Sequence, residues 1–174
     1  MDDRFAHGLA LDRIRDGERI DLTADEAERQ AVAKRLGLRS LDRLEAHVTL
    51  SREGPRIAAS GRIRASLEQD CVATGEPIGE HVDEPFEIAF VRGPESPSPD
   101  EEIELNDEEC DVVFYDGGTI DLGSAIADTL ALVIDPYPRS SDADSALRDA
   151  GVMTEEQAGP FAALAALKKG GDEA

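Results

Sequence analysis

The sequence feature that most constrains the fold is a long alternating stretch, "RIAASGRIRASLEQDC", at residues 56–71. Small and apolar residues recur there at every second position: Ile57, Ala59, Gly61, Ile63, Ala65 and Leu67. Charged residues occupy positions between them: Arg56, Arg62, Arg64 and Glu68. Because successive side chains of a β-strand point to opposite faces, this pattern predicts a long strand with one buried and one solvated face. The same register places Cys71 on the buried side.

Further strands are predicted on both sides of this one. Residues 45–52 ("EAHVTLSR") and 81–91 ("HVDEPFEIAFV") alternate in the same way, and residues 110–122 resume strand character after an acidic stretch. Residues 5–22 alternate more loosely and predict a strand or a short hairpin. The connecting sequences "EGP", "GEP" and "DGG" are typical of turns.

Two principal helices are predicted, over residues 23–36 and 121–134. The first has Thr23 and Glu26 at the spacing of a capping box, and Gly37 stands where a helix commonly ends. The second begins after Asp121, a preferred N-cap residue type, and carries apolar residues on one face.

These elements predict a single α+β domain over residues 1–138, with a mainly antiparallel, twisted sheet packed by the two helices. A polar segment that could be flexible follows over 139–158. A short C-terminal helix and tail occupy 159–174, since Pro160 suits a first helical position. No apolar run approaches the roughly 20 residues that span a bilayer. We therefore expect a cytoplasmic protein without membrane association, and the scarcity of cysteine agrees with a reducing compartment.

Charge is distributed unevenly along the chain, whose formal net charge is −21. Residues 1–70 hold 13 Lys and Arg against 14 Asp and Glu, whereas residues 71–174 hold five against 25. Such an acidic half repels phosphate backbones, whose binding needs clustered cations. It attracts a basic partner instead. The plainer interpretation, that acidity only keeps the protein in solution, stays open at this point.

The stretch "CVATGEP" at residues 71–77 raises the question of chemistry at Cys71. A zinc site needs three or four Cys or His ligands, and Thr74 stands where a second thiol would complete a C-x-x-C clip. Cys71, Cys110 and His81 could still converge in space. A nucleophile would need a base beside a thiolate, and we expect the neighbouring acids to raise the pKa of the thiol. The sequence therefore favours a buried, apolar role, with no metal, cofactor or catalytic residue.

Direct RNA binding is a further alternative, through a basic stripe formed by Arg56, Arg62 and Arg64. The stripe lacks the interleaved aromatic residues on which bases stack. A solvated outer face with cross-strand ion pairs is therefore the favoured interpretation of these arginines.

Three separated pieces of the chain resemble one family. They are "CVATGEP" followed by "HVDEPFEIAFV", the segment "GTIDLGSAIADTLALVIDPYP" after an acidic loop, and "GPFAALAALKK" near the end. In this order they resemble the YceD family of large ribosomal RNA subunit accumulation proteins of bacteria and plastids. The resemblance implies a cytoplasmic protein required for the synthesis, processing or stability of 23S ribosomal RNA, without an established enzymatic activity.

The resemblance also implies a set of motif residues with a possible role in interaction: Cys71, Glu76, Pro77, Asp121, Leu122, Pro160, Phe161, Leu164, Leu167 and Lys168. We expect a non-enzymatic ribosome-biogenesis factor that acts through a basic ribosomal protein or an rRNA-processing factor and reaches pre-ribosomal RNA indirectly. The alternatives are a metal-binding module or Cys-dependent enzyme centred on Cys71, and an RNA-binding module using the three arginines. The sequence leaves the oligomeric state open.

Overall fold

Ten helices and strands are present in the computed structural model, which describes residues 5–93 and 111–152. In chain order they are β1 (Gly8–Ala10), β2 (Glu18–Thr23), α1 (Glu26–Leu36), β3 (Ser40–Glu53), β4 (Arg56–Asp70), β5 (Pro77–Arg92), β6 (Asp111–Tyr115), β7 (Thr119–Asp121), α2 (Leu122–Val133) and α3 (Ala143–Asp149). The predicted α+β class is confirmed.

The main sheet has five strands in the order β2-β3-β4-β5-β6. All neighbouring pairs are antiparallel except β5 and β6, which run parallel. The alternation predicted for β4 is confirmed, because its small and apolar side chains are at most 3% exposed: Ile57, Ala59, Ile63, Ala65 and Leu67. Gly61 continues this inner row where β3 comes very close. A Cβ at Gly61 would lie 2.9 Å from the carbonyl carbon of His47 and nearer still to its oxygen.

Both principal helices cover the same face of the sheet. Val32 and Ala33 of α1 pack in one core with the inner side chains of β3, β4 and β5, and Ile126 and Leu130 of α2 join that core. The opposite face, which we call the open face, carries polar side chains such as His47, Arg62 and Asp83. A one-sided sheet of this kind has the alternation of buried and solvated residues that its strands show.

The beginning of α1 differs from the prediction. Asp25, not Thr23, is the N-cap: its Oδ1 accepts a hydrogen bond from the amide of Glu28 at 2.9 Å, and the Glu28 carboxylate accepts one from the Asp25 amide at 2.8 Å. Thr23 instead ends β2, where it pairs with Glu45. β2 continues to Thr23 because the residues on either side of it, Leu22 and Ala24, are buried in the core. The predicted end is confirmed, since Gly37 adopts the left-handed conformation at φ 67°.

The strands within residues 5–22 do not form a hairpin. β1 pairs with β7 in a separate two-stranded sheet, with Leu9 opposite Ile120. β2 pairs with β3, with Ile20 opposite Val48. Two short strands close in sequence therefore join partners that are distant in sequence.

The polar segment predicted over 139–158 contains a short helix, α3, whose first residue, Ala143, is buried. The predicted C-terminal helix and most of the acidic stretch lie outside the described residues, as does Cys110. Within the described part of the chain, no helix is long and apolar enough to cross a membrane.

Candidate functional site

A six-residue loop, 71–76, joins β4 to β5, and we call it the Cys71 loop. The amide of Cys71 donates to the carbonyl of Glu76 at 2.8 Å, and the amide of Gly75 donates back to the carbonyl of Cys71 at 2.8 Å. Gly75 adopts φ 71°, a conformation that glycine reaches without strain. Pro77 then opens β5 opposite Asp70. Glu76 and Pro77 thus close a turn, in agreement with the sequence.

The Cys71 loop lies against the chain that follows α2, residues 135–140. The amide of Val72 donates to the carbonyl of Pro138 at 2.9 Å, and the amide of Ser140 donates to Cys71 Sγ at 3.3 Å. Two residues before the loop, the Gln69 side chain donates to the carbonyl of Asp135 at 3.1 Å. The two segments therefore form one surface at this end of the sheet.

Cys71 is buried, as predicted, with 2% of its surface exposed. The expectation about its acidity was wrong: the pKa of the thiol is lowered from 9.0 to about 6. The main cause is the Ser140 amide, followed by the Thr74 hydroxyl, with smaller contributions from the Ser140 hydroxyl and the Ala73 amide, while burial acts in the opposite direction. Donors aimed at the sulfur stabilise the thiolate, and they outweigh the opposing effect of burial.

This thiolate has no catalytic partner among the described residues. His81 Nδ1 lies 3.0 Å from the Ser66 hydroxyl on the open face, and no histidine contributes to the pKa shift of Cys71. Residues 5–93 and 111–152 contain no group of three His, Cys, Asp or Glu side chains that could hold a metal ion. Ser140 Oγ is buried and makes no hydrogen bond of normal geometry, although it lies near enough to the sulfur to favour its ionised form. The geometry suits an anchor between the loop and residues 135–140.

The three arginines predicted as a basic stripe are not one patch. Arg62 Nε lies 2.5 Å from Asp83 Oδ1, and Arg64 Nε lies 3.3 Å from Asp83 Oδ2. The guanidinium of Arg62 is the main reason why the pKa of Asp83 is lowered. Arg56 stands six residues from Arg62 along β4, roughly 20 Å in an extended strand. The two central arginines are thus matched by a carboxylate from the neighbouring strand.

The motif residues Asp121 and Leu122 hold the N-terminal segment onto α2. Asp121 Oδ1 accepts from the amide of Ser124 at 3.0 Å, which caps the helix, and from the amide of His7 at 3.1 Å. The amide of Leu122 donates to the carbonyl of His7 at 2.9 Å, and the Leu122 side chain is fully buried. Sequence reasoning predicted the cap but missed His7, because no spacing rule connects residues 114 positions apart.

Sequence reasoning also missed an apolar surface beside the Cys71 loop. Val72 is 58% exposed and Tyr137 is 73% exposed, and their backbone segments are joined by the hydrogen bond between Val72 and Pro138. Exposed carboxylates lie in the same segments or directly after them: Glu76, Asp135 and Asp142. We call these two apolar residues, with the three carboxylates, the Val72–Tyr137 surface. The signal available in the sequence was one of only two tyrosines, placed between prolines in "DPYPR".

The described residues define an α+β protein with a one-sided sheet and, at one end, exposed Val72 and Tyr137 in segments that also carry exposed carboxylates and the ion-paired Arg139. The chain belongs to the YceD family: the family model described as large ribosomal RNA subunit accumulation protein YceD matches residues 59–168. The resemblance drawn from the sequence is thereby confirmed. No curated protein and no solved structure matches the chain. The matched residues include the Cys71 loop, β5 and α2, whereas α1 and β3 precede them.

Proposed function

We propose that this protein is a non-enzymatic ribosome-biogenesis factor of the cytoplasm that supports 23S rRNA synthesis, processing or stability, and thus accumulation of the large subunit. It acts by binding a basic protein, either a ribosomal protein or an rRNA-processing factor. Membership of a family described by large ribosomal RNA subunit accumulation supports the process. The charge of residues 71–174 supports the kind of partner, because 25 acidic side chains oppose five basic ones there.

The Val72–Tyr137 surface is the observation that carries the proposed mode of binding. Exposed large apolar side chains that are adjacent and rimmed by polar groups mark protein–protein contact sites. Tyrosine is a frequent anchor of such contacts, since it buries a large area and keeps a polar tip. The carboxylates of Glu76, Asp135 and Asp142 would steer a cationic partner to these anchors and exclude acidic competitors. A basic segment with an apolar residue at its centre fits this surface best.

The direct test is capture of purified basic large-subunit proteins by the immobilised protein, with protein and RNA both measured at low and high salt. We expect capture to fall as salt rises, and to be lost in a Val72→Ser/Tyr137→Ser double variant. Phe114→Ser is the matched control, because Phe114 is an exposed apolar residue paired with Val91, at the opposite end of β5 from the Cys71 loop. Equal capture by the double variant and the control would reject the surface. Salt-sensitive capture of RNA with no basic protein would reject the proposed partner.

The metal or thiol-enzyme alternative is tested separately. Two measurements distinguish a metal or thiol-enzyme role from an anchoring role: the metal content of the purified protein, and the activity and stability of the Cys71→Ser variant. Stoichiometric zinc, or loss of ribosome assembly in a variant of unchanged stability, would favour the alternative. An anchoring role predicts no metal and a loss of activity no larger than the loss of folded protein.

A further inference from the structure

The connection between α1 and β3 is locally basic, although the whole chain is strongly acidic. Residues 34–43, "KRLGLRSLDR", contain four cations and a single acid, Asp42. Lys34, Arg35, Arg39 and Arg43 are all exposed. Neither the total charge nor the alternation along the strands reveals this cluster in the sequence.

A groove of about 510 Å³ lies between α1 and the first residues of β3, and we call it the α1 groove. Its floor is apolar and formed by the buried residues Ala33, Leu38 and Leu41. Its walls carry polar and cationic groups: Arg29, Gln30, Lys34, Arg39 and Ser40. Two acids, Glu26 and Asp42, complete the lining.

The cations of the α1 groove differ in how firmly they are held. Arg29 Nη1 donates to the carbonyl of Ala24 at 2.8 Å, which fixes the guanidinium and leaves other donors available. Lys34 is exposed on the helix, in the wall of the groove. Arg39 pairs with Asp70 at 2.7 Å, but these side chains are 49% and 59% exposed. Exposed ion pairs are weak in water, so a phosphate oxygen can replace Asp70 at Arg39.

We propose that the α1 groove binds the sugar–phosphate backbone of RNA. Three cations line an open groove, and charge-assisted hydrogen bonds to phosphate are the contacts that such groups make best. The Gln30 amide donates to the Glu26 carboxylate at 3.4 Å, so the proposal rests on the cations. Because the groove lining contains no aromatic side chain on which a base could stack, the contact would be to the backbone and largely independent of sequence.

This inference rests on the proposed function, because the family description is what makes RNA the expected source of phosphate rather than an acidic protein. It adds a surface outside the residues that the family model matches, since α1 and the groove residues precede residue 59. The two proposed surfaces adjoin: Arg39 lines the groove, and its partner Asp70 immediately precedes the Cys71 loop. RNA and a basic protein bound to it could therefore be contacted side by side.

The test is binding of a short, fluorescently labelled single-stranded RNA, followed by anisotropy over a range of salt. Three phosphate contacts predict a slope of log affinity against log salt of about −2. Lys34→Glu combined with Arg39→Glu should lower affinity about tenfold or more and reduce the magnitude of this slope to below about 1. Arg62→Glu with Arg64→Glu is a control of equal charge change on the open face. It should keep the affinity within about twofold of the wild-type value, because its charge acts on the groove only at long range.

Removing a repelling carboxylate gives the opposite expectation. Asp42→Asn should tighten RNA binding about twofold to threefold, because one like charge near a phosphate is eliminated. Equal affinity of the wild type and the Lys34/Arg39 variant would overturn the inference, as would equal competition by polyglutamate of matched charge. Capture of the basic protein is measured on the same variants. If that capture persists while RNA binding is absent from the wild type, only the groove is rejected; if the Val72/Tyr137 variant retains capture, the proposed protein surface is rejected independently.

Discussion

Replacing Gly123 with alanine tests whether the N-terminal segment is held onto α2 by backbone contact. Gly123 is the second residue of α2, directly after the buried Leu122. A Cβ at this position would lie 2.7 Å from the carbonyl oxygen of Phe5 and 2.8 Å from the amide nitrogen of His7. Both atoms belong to the backbone, so a rotamer change cannot relieve the contact and the segment must move.

The expected magnitude follows from the competing effects. Overpacking of this kind costs about 1–3 kcal/mol. Moving the segment also weakens the hydrogen bonds that His7 makes with Asp121 and Leu122, which are worth about 1 kcal/mol each. Alanine is favoured over glycine in a helix by about 1 kcal/mol, which offsets part of the loss. We therefore expect Gly123→Ala to lower the free energy of unfolding by about 2 kcal/mol.

Urea unfolding, followed by circular dichroism, measures this difference directly. Gly118→Ala is the matched control, because a Cβ at Gly118 would meet nothing within 4 Å and its φ is not in the left-handed region. The control should change stability by less than about 0.5 kcal/mol. A Gly123→Ala protein as stable as the control would show that the segment does not cross α2 at this distance.

Three further outcomes follow from the same kind of contact. In urea unfolding, Asp25→Ala should destabilise the protein by about 1 kcal/mol and Thr23→Ala by much less, because only Asp25 caps α1. A larger loss for Thr23→Ala would mean that Thr23 is the N-cap, as the sequence predicted. Gly61→Ala should cost about 3 kcal/mol or more by the same measurement, whereas Gly79→Ala, with open space around it, should cost under about 1 kcal/mol. The free energy of unfolding of the wild type, measured relative to Cys71→Ala, should fall as the pH decreases from 9 to about 6. The pKa of Cys71 in the folded protein lies below its ordinary value, so the thiolate contributes fully to stability only above the pKa of the unfolded state. A difference that does not change with pH would mean that the thiol titrates normally.

Sequence alone predicted the features that depend on side-chain periodicity and on local capping residues. The buried row of β4 and the cap of α2 at Asp121 follow from alternation and residue type, and the structure has both. The N-cap of α1 was predicted two residues early, because Thr23 and Glu26 have the same spacing as Asp25 and Glu28. Local spacing could not decide between them; pairing of Thr23 with β3 did.

Features that depend on distant contacts could not be predicted in this way. The pKa of Cys71 depends most on the amide of Ser140, 69 residues away in the chain. The prediction from sequence considered only the acids close to Cys71 in the chain. The pairing of β1 with β7 and the meeting of Val72 with residues 135–140 are of the same kind. The domain boundaries and the C-terminal motif residues, Pro160 to Lys168, stay predictions.

The order of the strands explains how a charge gradient along the sequence becomes a charge gradient in space. β2, β3, β4, β5 and β6 lie side by side in chain order, so residues before and after residue 71 fall largely on different sides of β4. α1 packs against β3, whereas α2 packs against β4 and β5. A sheet with long crossovers would have interleaved the two halves and averaged their charge. In this fold the mixed half carries the α1 groove and the acidic half carries the Val72–Tyr137 surface, and the Arg39–Asp70 pair of the mixed half directly precedes the Cys71 loop. If both proposals hold, phosphate at Arg39 would release Asp70 toward a cationic partner, so that binding of RNA and binding of basic protein would reinforce each other.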